Sequence, residues 1–178
     1  MKNWLISLRF FLIIRYYQIS LLIGLETFFL VLQGLSLGKN LTIYSGFEIR
    51  TPKNIFIGDN TIIGHNVVLD GRNSLEIGNN VNISGQVIIW TMQHDYNSSN
   101  FDKIGGKVVV KDYCWISAWA IILPDILIEE GTVVAANAII TKNTQKYKVF
   151  GEVPAKIIGE RNKNLTYKLT KKNRIHFV

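Results

Sequence analysis

The sequence is poor in the residues that staple or metallate small proteins. Its 178 residues include one cysteine, three prolines and three histidines. A lone Cys114 excludes an internal disulfide framework and favours a reducing, cytoplasmic location. His65, His94 and His176 share no ligand spacing, so no metal is expected. Uncharged apolar runs of the roughly 20 residues needed to cross a membrane are also lacking. Arg9, Arg15 and Glu26 interrupt the apolar N-terminus, and no small-residue cleavage site follows it, so a secretory signal is not expected. Residues 1–36 read either as a cap on the first turn of the domain or as a segment lying on the inner face of a membrane.

What is abundant is branched aliphatic carbon. Leu, Ile and Val account for 56 residues, 26 of them Ile, with 14 Gly punctuating them. That balance predicts a single domain built of strands. Read in sixes, the apolar positions are Leu37, Ile43, Ile49, Ile57, Ile63, Leu69, Ile77, Ile83 and Ile89; after a gap come Val110, Ile116, Ile122, Ile128, Val134 and Ile140. The residue two before most of them is apolar or small, as in Leu75, Val81, Cys114 and Ala120, so both positions face one interior. Cys114 is thereby expected to be a small core residue. Between these pairs stand turn formers such as Gly58-Asp59-Asn60 and Gly64-His65-Asn66, which tolerate the positive φ of a sharp corner. Six residues hold one short strand and one corner, and three such units close a coil. The period predicts an all-β parallel β-helix, with two extra residues per coil near Thr51–Asn54 and Arg72–Ser74. The pattern leaves the hand of the helix open.

The register breaks once, across residues 90–107. This loop carries His94 beside Asp95, with Trp90, Tyr96 and Phe101 nearby. Loops on rigid scaffolds often carry function, and an imidazole titrates in the range needed to take a proton from a hydroxyl. His65 reads as a solvated corner residue and His176 as part of a basic tail.

Charge is just as unevenly distributed. Residues 142–178 carry ten Lys or Arg against two Glu, whereas the first 141 carry ten basic and eleven acidic side chains. Such a tail is either a solubilising face or a surface for an anion: a phosphorylated cofactor, acidic lipid or nucleic acid.

Three segments sharpen the reading: His94-Asp95-Tyr96-Asn97-Ser98 with Phe101; Cys114-Trp115-Ile116-Ser117-Ala118; and Ala135-Ala136-Asn137-Ala138-Ile139-Ile140-Thr141-Lys142 followed by Gly151-Glu152-Val153-Pro154-Ala155-Lys156 and Gly159-Glu160-Arg161. With the repeat, they make residues 37–161 resemble the hexapeptide-repeat acyltransferases, and most of all the colanic-acid-type polysaccharide O-acetyltransferases. The resemblance implies a left-handed β-helix and acetyl transfer from acetyl-CoA to a sugar hydroxyl in bacterial surface polysaccharide synthesis. His94 would be the general base, Asp95 its neighbour, and the Ala118 N–H an oxyanion donor. Ala136, Thr141 and Lys142 would grip the pantetheine arm and phosphates, with Lys156 and Arg161 as further phosphate contacts. The basic tail then has a partner, and nucleic acid is not expected. Trp90, Tyr96 and Phe101 are candidates for stacking on the acceptor sugar, while Trp119 would floor the acyl pocket or pack at a subunit seam. A homotrimer is implied. Ala135 and Asn137 stand where the family has glycine, and Ser117 replaces another, which puts the cofactor path in question. An N-acetyltransferase of amino-sugar nucleotides and a non-catalytic β-helix scaffold remain as alternatives.

The expected organisation is an N-terminal segment 1–36, a β-helix over 37–145 with the inserted loop 90–107, and a basic extension 146–178 closing the cofactor site.

Overall fold

The computed structural model describes residues 24–169, in which the six-residue repeat winds a three-sided parallel β-solenoid. The first face stacks Ser36–Leu37, Ile55–Ile57, Leu75–Ile77, Val108–Val110 and Leu127–Ile128. On the second are Thr42–Ile43, Ile62–Ile63, Asn82–Ile83, Trp115–Ile116 and Val133–Val134. The third holds Glu48–Arg50, Val68–Asp70, Ile88–Ile89, Ile121–Ile122 and Ile139–Ile140. Register follows the repeat, so that Leu37, Ile57, Ile77, Val110 and Ile128 pair in succession up the first face.

Strand alternation sends the two apolar positions of each unit inward. Of the fifteen period-six residues, the twelve from Ile57 to Ile140 are buried, and each such side chain stabilises the fold by roughly 1.5–3 kcal/mol. Leu37, Ile43 and Ile49 of the first coil are only half-buried; among the described residues, Leu35 and the helical Leu30 pack with the same core. Two inner positions are threonine, and both are satisfied: Thr61 Oγ1 donates to the Gly78 carbonyl at 2.9 Å, and Thr132 Oγ1 bonds Thr144 Oγ1 at 3.0 Å.

The corners divide labour differently from the expectation. At many corners positive φ falls three residues after the inward position, on Asn60, Asn66 and Asn80, but also on Gln86, Tyr113, Trp119 and Asp125. Gly58 and Gly64 have ordinary φ. Their role is close approach, since a Cβ on Gly58 would lie 2.7 Å from the Gly78 carbonyl carbon and one on Gly64 would lie 2.5 Å from the Gly85 nitrogen. Trp119 holds its left-handed conformation, φ 65°, while 59% exposed.

The coil insertions also appear where expected, as a 3-10 turn at Pro52–Asn54 and a turn ending in Ser74, φ 78°. Strand pairing continues past residue 145: Lys148–Gly151 adds to the second face in parallel, and Lys156–Glu160 returns antiparallel against it. Among the described residues no helix is long and apolar enough to cross a membrane. Residues 1–23, which hold most of the N-terminal segment, and His176 lie outside the described residues.

Candidate active site

The inserted loop is a hairpin rather than an irregular excursion. Met92–His94 pairs antiparallel with Lys103–Gly105, forming a two-stranded sheet that joins none of the three faces. Its tip is closed by local bonds: Asp95 N–H to the Asp102 carbonyl at 2.8 Å, Asn97 N–H to Asp95 Oδ1 at 2.9 Å, and Ser98 Oγ to Asp102 Oδ2 at 2.6 Å. Tyr96 stands out at the tip, 90% exposed.

His94 is held by Phe101 in two ways. Its ring stacks on the phenyl ring at 4.0 Å between centroids with 9° between planes, and its Nδ1 lies 2.7 Å from the Phe101 carbonyl oxygen. A carbonyl only accepts, so this bond requires the proton on Nδ1, and in the neutral ring the lone pair then sits on Nε2. Phe101 reaches this geometry at φ 54°. Asp95, by contrast, spends Oδ1 on its own turn. The element that orients the imidazole is a backbone carbonyl, which no side-chain pattern reveals.

Of the other aromatic candidates, Phe101 is occupied by His94. Trp90 has the Arg50 guanidinium carbon 4.7 Å and that of Arg72 5.8 Å from its ring centroid. Nothing in the repeat marks Arg72 or its partner Asp70, and their only signal in the sequence is an acid and a base two residues apart at the coil insertion.

Ala118 and Ala136 stack on the corner between the second and third faces. Their N–H groups have no acceptor among the described residues, while the Ala118 carbonyl takes the Asn137 N–H at 3.1 Å. The corner between the first and second faces is built otherwise: the N–H groups of Lys39, Asp59 and Asn79 bond to the side-chain Oδ1 of Asp59, Asn79 and Asp112, at 2.7, 2.8 and 2.8 Å. One edge is thus sealed by its own side chains, and the other presents donors to whatever lies along it. The hairpin of His94 leaves from the third edge, between Ile88–Ile89 and Val108–Val110, so a single chain does not place His94 and Ala118 on one edge.

Thr141 and Lys142 follow on the last coil, both exposed, and Lys142 has no ion-pair partner among the described residues. Lys156 pairs with Glu152 at 2.9 Å on the surface. Arg161 is committed inward: it donates to the carbonyls of Tyr113 at 2.6 Å and Gly131 at 3.3 Å, and to the Tyr167 hydroxyl at 3.0 Å. Cys114 is a core residue, with Sγ 3.1 Å from the Glu129 carbonyl and its thiol pushed up to about 12 by burial.

Similarity to known proteins gives this triangular β-solenoid a class. The chain is 31% identical over 136 residues to a protein named as a colanic acid biosynthesis acetyltransferase, WcaF of Escherichia coli K12, covering 76% of this chain and 75% of that one. It is 28% identical over 105 residues to an E. coli dTDP-4-amino-4,6-dideoxy-D-glucose acyltransferase, covering 53% of this chain and 55% of that one. The crystal structure of the hexapeptide-repeat acetyltransferase VCA0836 of Vibrio cholerae, complexed with acetyl coenzyme A, superposes with a TM-score of 0.69 at 28% identity over 77% of this chain and 78% of that one. No protein-family profile matches the chain. The chain belongs to the hexapeptide-repeat acetyltransferase family, and its fold is the left-handed parallel β-helix of that family.

Proposed function

We propose that this enzyme moves an acetyl group from acetyl-CoA to a sugar hydroxyl in bacterial surface polysaccharide synthesis, with His94 as general base. The observation that carries the reading is the 2.7 Å bond from His94 Nδ1 to the Phe101 carbonyl. In the neutral ring it directs the lone pair to Nε2, on an exposed hairpin. Nε2 takes the acceptor hydroxyl proton as that oxygen attacks the thioester carbonyl. The resulting oxyanion is stabilised by the Ala118 N–H. Collapse then breaks the carbon–sulfur bond, and the imidazolium proton goes to the departing CoA thiolate. Along the same edge the Ala136 N–H takes the pantetheine arm, while Thr141, Lys142 and Lys156 meet the phosphates. Arg161 is used instead to hold the C-terminal segment against the carbonyls of Tyr113 and Gly131. Asp95 shapes the turn rather than assisting the base.

Because His94 and Ala118 lie on different edges, the reading requires a neighbouring copy to complete the site, and a homotrimer supplies one. In support, above the exposed Glu48 the outward column of the third face is aliphatic and half-buried: Val68, Ile88, Ile121 and Ile139. The N-terminal segment would rest on the inner face of the membrane, where lipid-linked sugars are assembled.

Transfer to an amine of a nucleotide-linked amino sugar is the second reading, favoured by the similarity to the dTDP-amino-sugar acyltransferase. The test is CoA thiol release from acetyl-CoA with a panel of oligosaccharide and amino-sugar nucleotide acceptors, for wild type and His94→Ala. The proposal expects hydroxyl acceptors to drive turnover and the substitution to lower it by about 10²–10⁴-fold. Acceptor-dependent turnover left intact in His94→Ala would remove the base assignment, and turnover only with amines would favour the second reading.

A further inference from the structure

Among the described residues the two strands of the hairpin that carries His94 pair with each other alone, and a lone two-stranded hairpin is marginal in water. Its orientation must therefore be set at its root. There, one coil below, lies the Asp70 side chain, completely buried. It accepts four N–H bonds: Arg72 Nε at 2.8 Å, Arg72 Nη2 at 2.9 Å, the Arg72 backbone at 3.1 Å and the Thr91 backbone at 3.0 Å. The same Arg72 Nη2 reaches the Met92 carbonyl at 3.2 Å, two residues before His94. Asn73 completes the grip through its N–H to Thr91 Oγ1 at 3.0 Å and its Nδ2 to the Thr91 carbonyl at 2.8 Å. The returning strand closes onto the same carbonyl through the Gly106 N–H at 3.1 Å. A Cβ on Gly105 would collide with Thr91, so the second strand can pass only because that residue is glycine.

A fully buried carboxylate is a poor way to stabilise a solenoid, even beside a half-buried guanidinium, because desolvating its charge consumes much of what the attraction returns. At the same register the coil below carries Arg50 and the coil above Trp90, neither of which is buried, so the repeat itself does not demand a buried carboxylate here. What the pair accomplishes is geometric. It ties the insertion after the second coil to Thr91 and Met92, the second and third residues of the inserted loop. We propose that Asp70 and Arg72 are positioning residues, a clamp built on a buried carboxylate that fixes the root of the hairpin and so the approach of His94 to the acceptor hydroxyl. The catalytic part of this inference rests on His94 being the base; the clamping of the hairpin does not.

The experiment compares full-length wild type with Arg72→Lys, Arg72→Gln and Asp70→Asn. It reads kcat and the KM for acetyl-CoA, amide exchange at Asp95 and at core residues such as Ile83 and Ile122, and the ¹⁵N shifts of the His94 ring. Misplacing a reacting group by about 1 Å costs on the order of 100-fold, so kcat is expected to fall about 10- to 100-fold in Arg72→Gln and Asp70→Asn. The KM for acetyl-CoA should stay within about twofold, because the loss falls on the transition state. Exchange at Asp95 accelerates, core amides do not, and the His94 Nδ1–H signal shifts as its bond to Phe101 loosens. Arg72→Lys, which keeps the charge and one donor, recovers part of each effect. Unchanged Asp95 exchange and an unchanged His94 signal in both Arg72→Gln and Asp70→Asn would overturn the clamp, as would core amides that open as much as the hairpin. If the hairpin loosens while kcat holds, and His94→Ala is also active, the clamp stands and the base assignment falls.

Discussion

Arg161 donates a hydrogen bond of 2.6 Å to the carbonyl of Tyr113, across 48 residues of sequence, and a second to the Gly131 carbonyl one coil higher. Tyr167 bonds the same Tyr113 carbonyl at 3.2 Å and packs edge-on against its ring. The chain after the last coil thus turns back down the outside of the solenoid, with Arg161 as its clasp. Removing a charged donor from paired carbonyls costs about 1.5–3 kcal/mol. Arg161→Ala should therefore lower the melting temperature markedly, with any change in the KM for acetyl-CoA secondary. Lys142→Ala should do the reverse, raising that KM and leaving melting unchanged. A calorimetric melt and a KM determination on both variants separate these outcomes, and an Arg161→Ala protein that melts normally would show that the clasp is idle.

Cys114 is the sole thiol, and its chemistry is set by burial. Its thiol is pushed up to about 12, chiefly by loss of solvation. At pH 8 almost no thiolate is present to react. The expected result is no labelling by a disulfide reagent in the native protein, one thiol per chain after unfolding, and full turnover in Cys114→Ala. Rapid native labelling would contradict the core placement.

The solenoid was legible because every coil repeats the same burial requirement: Ile57, Ile77 and Ile128 stand in one column and read as one period. Glycine was misread at Gly58 and Gly64, since a turn composition does not distinguish positive φ from want of room for a Cβ. The hand of the helix was visible only through resemblance. At the site, His94 announced itself by breaking the period, but its partner is the backbone of Phe101, which any residue could supply. Asp70 and Arg72 were illegible for a related reason. Their targets are the Thr91 N–H and the Met92 carbonyl, groups that every residue in the chain possesses except for the proline nitrogen.

The helical stretch 24–32 turns Leu25, Phe28, Phe29 and Leu32 outward, each between 46% and 67% exposed. Their spacing of three, one and three puts them on a single stripe, whereas Leu30 packs toward the core. The preceding chain adds Lys2, Arg9 and Arg15 and no acidic residue before Glu26. An apolar stripe preceded in the sequence by basic residues suits an anionic lipid surface. Sedimentation with phosphatidylglycerol-containing vesicles should capture the protein, weaken with salt, and fail for Phe28→Glu/Phe29→Glu. Equal recovery of wild type and variant would exclude the stripe from membrane contact.

The Asp70 carboxyl leaves a signature in pH. Burial pushes its pKa up, but hydrogen bonds from the Arg72 side chain and from the Thr91 and Arg72 backbone more than offset this and hold it below its ordinary value. A carboxyl whose folded pKa is depressed adds stability that is fully present above its unfolded pKa of about 3.9 and is lost as pH falls through the lower folded value. Asp70→Asn keeps the shape and one acceptor oxygen and removes the charge, costing about 1–3 kcal/mol. The difference in melting temperature between wild type and Asp70→Asn should therefore be constant from neutral pH down to about 5 and shrink below about 4. Because the carboxylate is tied to the hairpin root, acid exposure should also speed Asp95 amide exchange in the wild type relative to the variant. A melting difference that stays constant down to pH 2, about two units below the ordinary carboxyl pKa, would mean that the Asp70 charge contributes nothing to the fold.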